Sequence, residues 1–176
     1  MGYKSGFIAI IGRPNAGKST LLNALLHQKI AIMSPKPNTT RNNIMGILTT
    51  ADAQYVFIDT PGIHKPKHEL GKTLNKNAYT AIAEADINAL IIDITKPYGS
   101  GDSFLLERLK NSEVPCFLLV NKIDVAPYFN FDLDKCVERV KKLNPNIQVF
   151  PISALKGEGI EPWADWLREQ TKTWNA

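Results

Sequence analysis

Short apolar runs alternate along the chain with longer stretches of mixed polarity. The runs predicted to form strands cover 6–11, 44–50, 55–59, 89–93, 116–120 and 148–152. Helical spacing of apolar positions predicts helices over 18–26, 70–83, 102–110, 133–143 and 160–171. Alternating strands and helices are typical of a mostly parallel sheet covered on both faces, and the short link at 51–54 predicts one antiparallel edge strand. We therefore expect a doubly wound α/β fold with a six-stranded sheet.

Details of three helices follow from the same spacing. The second helix is expected to bury Leu70, Leu74, Asn77/Ala78 and Ala81 on one face, and Asp102 or Ser103 is expected to cap the third. In the last helix Trp163, Trp166 and Leu167 recur at helical spacing. They are predicted to pack in the core rather than to form a stacking platform for bases.

Composition narrows the class of protein. The 176 residues are 44% apolar, which suits one folded domain over 1–172 with a short tail at 173–176. Cys116 and Cys136 lie far apart without metal-ligand spacing, so two free thiols in a reducing compartment are expected. No secretory signal pattern and no apolar run near 18 residues occurs, which favours a soluble, cytoplasmic protein. A net charge of +4 permits nucleic-acid binding without indicating it.

The run Gly12–Ser19 fits the phosphate-binding pattern G-x-x-x-x-G-K-S between a predicted strand and a predicted helix. In such a loop, backbone N–H groups and the helix N-terminus face a polyphosphate. Lys18 would reach the β- and γ-phosphates, and the hydroxyl of Ser19 would bind Mg²⁺. A chance glycine-rich turn is the alternative, which the flanking strand and helix disfavour.

Two further segments complete the predicted phosphate side. The motif Asp59-Thr60-Pro61-Gly62 follows a buried strand, where Asp59 can hold Mg²⁺ and the Gly62 N–H can meet a γ-phosphate. Thr39 and Thr40 lie between the loop and the second strand, and we favour Thr40 as the residue that binds Mg²⁺ when a γ-phosphate is present. Ordinary turns are the alternative for both segments.

The motif Asn121-Lys122-Ile123-Asp124 points to guanine. One carboxylate, that of Asp124, can accept from both N1–H and the exocyclic amine of guanine, whereas adenine would leave it unpaired. The alkyl part of Lys122 would cover the base, and Asn121 would tie this segment to the phosphate loop. Ser153 and Ala154 would complete the pocket, with the Ala154 N–H available to guanine O6.

Together these motifs define the candidate site. Its nucleotide contacts are assigned to Gly12, Arg13, Pro14, Asn15, Ala16, Gly17, Lys18, Ser19, Thr20, Asp59, Thr60, Pro61, Gly62, Asn121, Lys122, Asp124, Ser153 and Ala154. The metal ligands are assigned to Ser19, Thr40 and Asp59, and the groups acting in catalysis to Asn15, Lys18, Thr40 and Gly62. The expected ligands are GTP or GDP with Mg²⁺.

The chain resembles the GTP-binding domain of the Era family of bacterial GTPases, within the translation-factor-related P-loop GTPases. The residues that carry the resemblance are Gly12–Thr20, 38–41, Asp59–His68, Asn121–Asp124 and 151–154, and it covers 4–170. The resemblance implies a GTP-hydrolysing switch in small-subunit assembly that binds 16S ribosomal RNA and associates peripherally with the inner membrane. Era proteins carry a C-terminal KH domain for RNA, for which this sequence shows no pattern after residue 160. A monomer is expected.

Catalysis raises a separate question, because Ile63 stands where many GTPases have a glutamine that orients the attacking water. The amide oxygen of Asn15 could instead help to bind K⁺ beside the phosphates, as the resemblance supports. Replacing Ile63 by alanine is expected to cost little hydrolysis activity, because its side chain supplies no catalytic group. Two other functions stay open: a non-catalytic GTP-binding switch that needs a partner for hydrolysis, and an RNA-binding protein gated by nucleotide. The basic segment Ile63–His68, with Lys72 and Lys76, is the candidate contact for RNA or a partner.

Overall fold

The computed structural model of the chain describes residues 2–33, 40–66, 68–110 and 113–172. Its strands are β1 (Lys4–Gly12), β2 (Ile44–Thr49), β3 (Ala53–Asp59), β4 (Ile87–Asp93), β5 (Cys116–Asn121) and β6 (Gln148–Ile152). Its helices are α1 (Lys18–Leu26), α2 (Glu69–Glu84), α3 (Ser100–Lys110), α4 (Leu133–Leu143) and α5 (Ile160–Thr171). A short 3-10 helix over Ile123–Tyr128, which the sequence pattern does not predict, follows β5. The predicted tail at 173–176 lies outside the described residues.

The six strands form one sheet in the order β2-β3-β1-β4-β5-β6. β2 pairs antiparallel with β3 and forms one edge, while all other neighbours are parallel. The antiparallel pair is joined by a tight turn in which the Thr50 N–H donates to the Ala53 carbonyl at 2.8 Å. This architecture confirms the predicted doubly wound α/β fold.

The core has two layers because successive strand residues point to opposite faces of the sheet. In β1, Ala9 and Ile11 face the layer formed with α2, α3 and α4. Ile8 and Ile10 face the layer formed with α1 and α5. Trp163 of α5 is fully buried in that second layer against Phe117, with ring centroids 5.6 Å apart, as the helical spacing predicts.

Two local predictions are wrong. Leu74, Ala78 and Ala81 of the predicted face of α2 are buried, but Leu70 is 56% exposed, because the first turn of the helix buries Gly71 instead. Neither Asp102 nor Ser103 is the residue before α3, which begins at Ser100. The Asp102 carboxylate lies within the first turn and accepts from the Gly99 N–H at 3.0 Å.

The parallel strands bring the predicted motifs to one edge of the sheet. β1 leads into the phosphate loop, β3 ends at Asp59, β5 ends at Asn121, and β6 ends one residue before Ser153. Ligands of such sheets bind at the carboxyl ends of the strands. Among the described helices none is both long and apolar enough to cross a membrane.

Candidate nucleotide-binding site

The phosphate loop joins β1 to α1 through unusual backbone conformations. Gly17, the residue before α1, has a φ of 105°, and Asn15 has a φ of 63°. A side chain at Gly12 would place its Cβ 2.6 Å from the Ile91 carbonyl oxygen, so the loop can only begin this close to β4 with glycine. The glycine spacing of the motif is therefore required by packing against β4 as well as by the turn itself.

Lys18 lies buried at the start of α1, 6% exposed. Its ammonium donates to the carbonyl oxygens of Gly12 at 3.3 Å and Arg13 at 2.9 Å, so it folds back over the loop. Burial lowers the pKa of Lys18 to about 8, and the nearby Asp59 carboxylate partly offsets this effect. A buried cation of this kind is stabilised by an anionic ligand in the loop.

Three oxygen-bearing side chains meet beside Lys18. The Ser19 hydroxyl donates to Asp59 Oδ2 at 2.6 Å, the Thr40 hydroxyl donates to the same oxygen at 3.4 Å, and the two hydroxyl oxygens are 3.3 Å apart. Asp59 is fully buried, which raises its pKa, while the hydrogen bond from Ser19 and the charge of Lys18 act in the opposite direction.

The geometry and chemistry of the same three residues suit a Mg²⁺ ion. Asp59 Oδ1 is buried and has no hydrogen-bond partner among the described residues, which is rare for a carboxylate oxygen. One carboxylate and two hydroxyls are hard oxygen ligands, and Mg²⁺ usually completes its shell with water and phosphate oxygens. The residues assigned to the metal therefore fit it.

The segment after β3 is held by the core. The Thr60 hydroxyl donates to the Ile10 carbonyl at 2.8 Å, and the Ile63 N–H donates to the Gly12 carbonyl at 3.0 Å. A Cβ at Gly62 would lie 2.6 Å from Pro14 Cα, so glycine is needed where this segment touches the phosphate loop. Pro61 is buried between these contacts.

Ile63 is fully buried in the layer with α2 and α3. That Ile63→Ala costs little hydrolysis activity stays a prediction. Its burial adds an expected loss of stability, because truncating a buried isoleucine leaves a cavity. Its side chain still offers no hydrogen-bonding group to a water molecule.

At the guanine end, Asn121 ties two segments together. Its side-chain amide donates to the Ala16 carbonyl at 2.9 Å, as expected, and its Oδ1 accepts from the Ala154 N–H at 2.9 Å. In this structure the Ala154 N–H is bonded to Asn121, and its contact with guanine O6 stays a prediction. Ser153 is buried, and its hydroxyl oxygen accepts from the Lys156 N–H at 3.1 Å, which shapes the turn after β6.

Lys122 adopts a left-handed backbone conformation, with φ 72°, just before the 3-10 helix. Its ammonium donates to Asp93 Oδ2 at 2.6 Å, and Asp93 Oδ1 accepts from the backbone N–H and the hydroxyl of Thr95 at 2.9 and 2.7 Å. Asp93 therefore fixes the direction of the lysine. Sequence reasoning missed Asp93, although its place at the end of a buried strand could have indicated it. Asp124 lies in the first turn of the 3-10 helix and is half-buried.

A cavity of about 750 Å³ joins the two ends, a volume within the range of small-molecule sites. The predicted site residues that line it are Pro14, Asn15, Gly17, Lys18, Ser19, Thr20, Thr40, Gly62 and Lys122. The predicted residues outside its lining are Gly12, Arg13, Ala16, Asp59, Thr60, Pro61, Asn121, Asp124, Ser153 and Ala154. The lining residues that sequence reasoning missed are Ile32, Met33, Asp93, Thr95, Lys96 and Leu155.

The side chain of Arg13 is directed away from the phosphate loop. Its guanidinium donates to Asp102 Oδ2 at 2.9 Å, where the carboxylate is almost fully buried, and it also approaches the Pro97 carbonyl at 3.5 Å. Arg13 therefore links the loop to the start of α3, and its charge is already paired. Its backbone carbonyl still contacts Lys18.

Comparisons with known proteins agree with this geometry. Residues 7–122 match the family described as 50S ribosome-binding GTPase. The chain is 48% identical over 165 residues to the GTPase Era of Leuconostoc citreum (strain KM20), an alignment that covers 93% of this chain and 54% of that protein. The chain thus spans about half the length of the curated relatives it matches.

Two solved Era structures are similar to this one. Era in complex with MgGDPNP and nucleotides 1506–1542 of 16S ribosomal RNA has a TM-score of 0.84 at 35% identity, over 95% of this chain and 57% of that chain. An Era variant from Aquifex aeolicus bound to GDP and AlF₄⁻ has a TM-score of 0.85 at 35% identity, over 94% and 56%. The match over more than half of its residues shows that the chain belongs to the 50S ribosome-binding GTPase family, and its described part is similar in fold to these Era structures.

Proposed function

We propose that this chain binds GTP with Mg²⁺ and hydrolyses it to GDP and phosphate, as an Era-like molecular switch. The observation that carries the proposal is the corner formed by Ser19, Thr40 and Asp59, with an unpartnered buried carboxylate oxygen, beside the buried ammonium of Lys18. A buried ammonium beside a set of hard oxygen ligands suits a phosphate chain and its magnesium ion.

We assign different roles in phosphoryl transfer to different residues of the chain. Water attacks the γ-phosphorus, the bond to the β–γ bridging oxygen breaks, and GDP leaves as phosphate forms. We assign to Lys18 the neutralisation of charge on the β- and γ-phosphates, and to the Gly62 N–H a contact with the γ-phosphate. The burial of the Lys18 ammonium and the contact of Gly62 with the phosphate loop support these roles. Ser19, Thr40 and Asp59 would hold Mg²⁺, which would supply neutralisation of the charge that develops on the phosphates.

No described group in this site replaces the missing glutamine in an obvious way. Ile63 is buried and apolar, and the Arg13 guanidinium is bound to Asp102. We propose that K⁺, bound with the help of the Asn15 amide oxygen, supplies the missing positive charge in the transition state. Asn15 lines the cavity in a left-handed conformation two residues before Gly17, which supports this role.

Phosphate release by the purified chain tests both proposals. With Mg²⁺ present, GTP is expected to be hydrolysed and ATP is not, with a faster rate in KCl than in NaCl. Asn15→Ala is expected to remove most of the difference between the two salts. GTP binding without phosphate release above the protein-free rate would instead support a switch module that depends on a partner, and equal rates in the two salts would end the potassium proposal.

We further propose a role of the whole protein in small-subunit assembly, with 16S ribosomal RNA as partner and peripheral contact with the inner membrane. The support is similarity to Era, one structure of which was solved with a 16S fragment. Lys65, Lys72 and Lys76 are exposed on and after the segment that follows Gly62, whereas Lys67 lies outside the described residues. Replacing Lys65 and Lys67 by glutamine is expected to weaken binding to small-subunit particles and to flatten its salt dependence, while GTP affinity stays unchanged. A fall in GTP affinity would place this segment in the nucleotide pocket.

A further inference from the structure

Helix α2 contacts both segments that carry the predicted γ-phosphate and metal contacts. One segment, 62–66, begins at Gly62, and the other, 40–43, begins at Thr40. We propose that Asn75 and Asn77 of α2 are positioning residues that hold these two segments in register with each other, so that recognition of GTP over GDP depends on this helix. The inference rests on the proposed function.

Asn75 holds the first segment through its main chain. Its Nδ2 donates to the His64 carbonyl at 2.8 Å, and its Oδ1 accepts from the His64 N–H at 3.4 Å. His64 lies two residues after Gly62, and its ring Nδ1 is 3.1 Å from the Gly62 carbonyl. The amide of Asn75 thus fixes the backbone immediately after the residue expected to meet the γ-phosphate.

Burying the Asn75 side chain in the middle of a helix costs free energy unless its polar atoms are hydrogen-bonded. The residue is 4% exposed in the middle of a helix, where asparagine is a poor helix former. Its neighbours on the same face, Leu74 and Ala78, are apolar core residues. A buried amide is tolerated where both of its polar atoms are hydrogen-bonded, and here both bonds go to His64.

Asn77 holds the second segment. Its Nδ2 donates to the Arg41 carbonyl at 3.4 Å, and its own carbonyl accepts from Asn43 Nδ2 at 3.2 Å. Arg41 directly follows Thr40, whose hydroxyl contacts Asp59. The segment with the predicted metal ligand is therefore tied to the same helix.

The two ties lie on different sides of α2. Residues two apart in a helix project about 200° from each other, so Asn75 and Asn77 reach in nearly opposite directions. The helix consequently lies between the two segments and is a rigid element that both of them contact. Coupling between two sites is carried by such an element when both sites bias its position.

The test is a double-mutant cycle on nucleotide affinity. The dissociation constants of GDP and of a non-hydrolysable GTP analogue, both with Mg²⁺, are measured for the wild type, Asn75→Ala, Asn77→Ala and the double variant. Each single change is expected to weaken the analogue about 3- to 10-fold, the range for one or two lost hydrogen bonds, with GDP affinity within about twofold. The double variant is expected to lose less than the product of the two single losses, because one broken tie already uncouples the segments.

Two further variants keep the outcome interpretable. Asn43→Ala removes the other bond of the second segment, from the Asn43 side chain to the main-chain carbonyl of Asn77, which Asn77→Ala leaves in place. It is expected to weaken binding of the analogue by a similar factor without any change to α2. Lys76→Ala, exposed on the helix between the two asparagines, is the matched control and is expected to bind both nucleotides like the wild type.

Losses that multiply, or a GDP affinity that falls as much as that of the analogue, would overturn the coupling and leave two independent structural contacts. If the helix variants lose affinity only because α2 is damaged, Asn43→Ala, which lies outside the helix, will bind the analogue like the wild type. That result also contradicts the inference. If the wild type binds neither nucleotide, the proposed function itself fails, and that result is distinct from a wild type that binds while its variants do not differ.

Discussion

The two ends of the nucleotide cavity are held by different kinds of contact. At the phosphate end, one main-chain hydrogen bond joins Ile63 to Gly12, and both the N–H and the hydroxyl of Thr60 donate to the Ile10 carbonyl of β1. The Ile63 side chain is fully buried there. At the guanine end, the geometry depends on single side chains: the amide of Asn121 and the ion pair of Lys122 with Asp93.

Because the contacts differ, we expect the two ends to respond differently to substitution. Changes at the phosphate end act mainly through packing and charge, because several main-chain bonds would survive the loss of any one side chain. At the guanine end, one substitution removes the entire side-chain contact that positions a segment. Such changes are therefore expected to alter ligand binding more than stability.

The largest expected effect is on stability and comes from the phosphate end. Ile63→Ala is expected to lower the free energy of unfolding by about 2–5 kcal/mol, because the side chain is fully buried in the layer with α2. Chemical denaturation measures this change. Leu155→Ala, at a cavity-lining position that is 75% exposed, is the control and is expected to cost less than about 0.5 kcal/mol. A similarly small cost for the isoleucine would show that the core does not hold this end.

A smaller effect is expected at the guanine end. Asp93→Asn keeps an acceptor for Thr95 but removes the charge that pairs with Lys122, so GDP affinity is expected to fall about 3- to 10-fold, or ~1 kcal/mol. Calorimetric titration gives this value. Asp134→Asn, an exposed carboxylate in the first turn of α4, should bind GDP as the wild type does. A melting temperature that drops while affinity stays constant would contradict the division between the two ends.

The sequence could predict much of this arrangement because its main features are local. Patterns a few residues long predict the strand and helix segments, the glycine spacing of the phosphate loop and the place of Asn121. The pairing of Lys122 with Asp93 and of Arg13 with Asp102 joins residues 29 and 89 positions apart, which no local pattern indicates. The exposure of Leu70 was missed for the same reason, since which residue of the first turn of α2 is buried depends on contacts with other parts of the chain.

The contact of Ala154 shows a second limit of sequence reasoning. A backbone N–H has no signature in the sequence, and which acceptor it meets depends on where the Asn121 side chain turns. The left-handed conformations of Asn15 and Lys122 are equally invisible in residue order, yet both lie in the nucleotide motifs.

The smallest expected effect is a proton count. Burial lowers the pKa of Lys18 to about 8, so about half of the nucleotide-free molecules carry the neutral amine at pH 8. Bound phosphates raise this pKa again, so GDP binding at pH 8 is expected to take up as much as about half a proton, and affinity falls as pH rises above that value. Calorimetry in two buffers of different ionisation enthalpy counts the proton. Binding without uptake in the wild type, or the same uptake in Lys18→Met, would contradict this assignment.

The central claim is that the phosphate end binds any nucleotide polyphosphate while the guanine end selects the base. Competition among GDP, ADP and xanthosine diphosphate tests it most directly, in the wild type and in Asp124→Asn. The wild type should prefer GDP, and the variant should lose roughly 10- to 100-fold for GDP while gaining for the xanthine nucleotide, whose 2-oxo group accepts from the new amide. An unchanged order of affinities in the variant would contradict the claim and place base selection outside the Asn121–Asp124 motif.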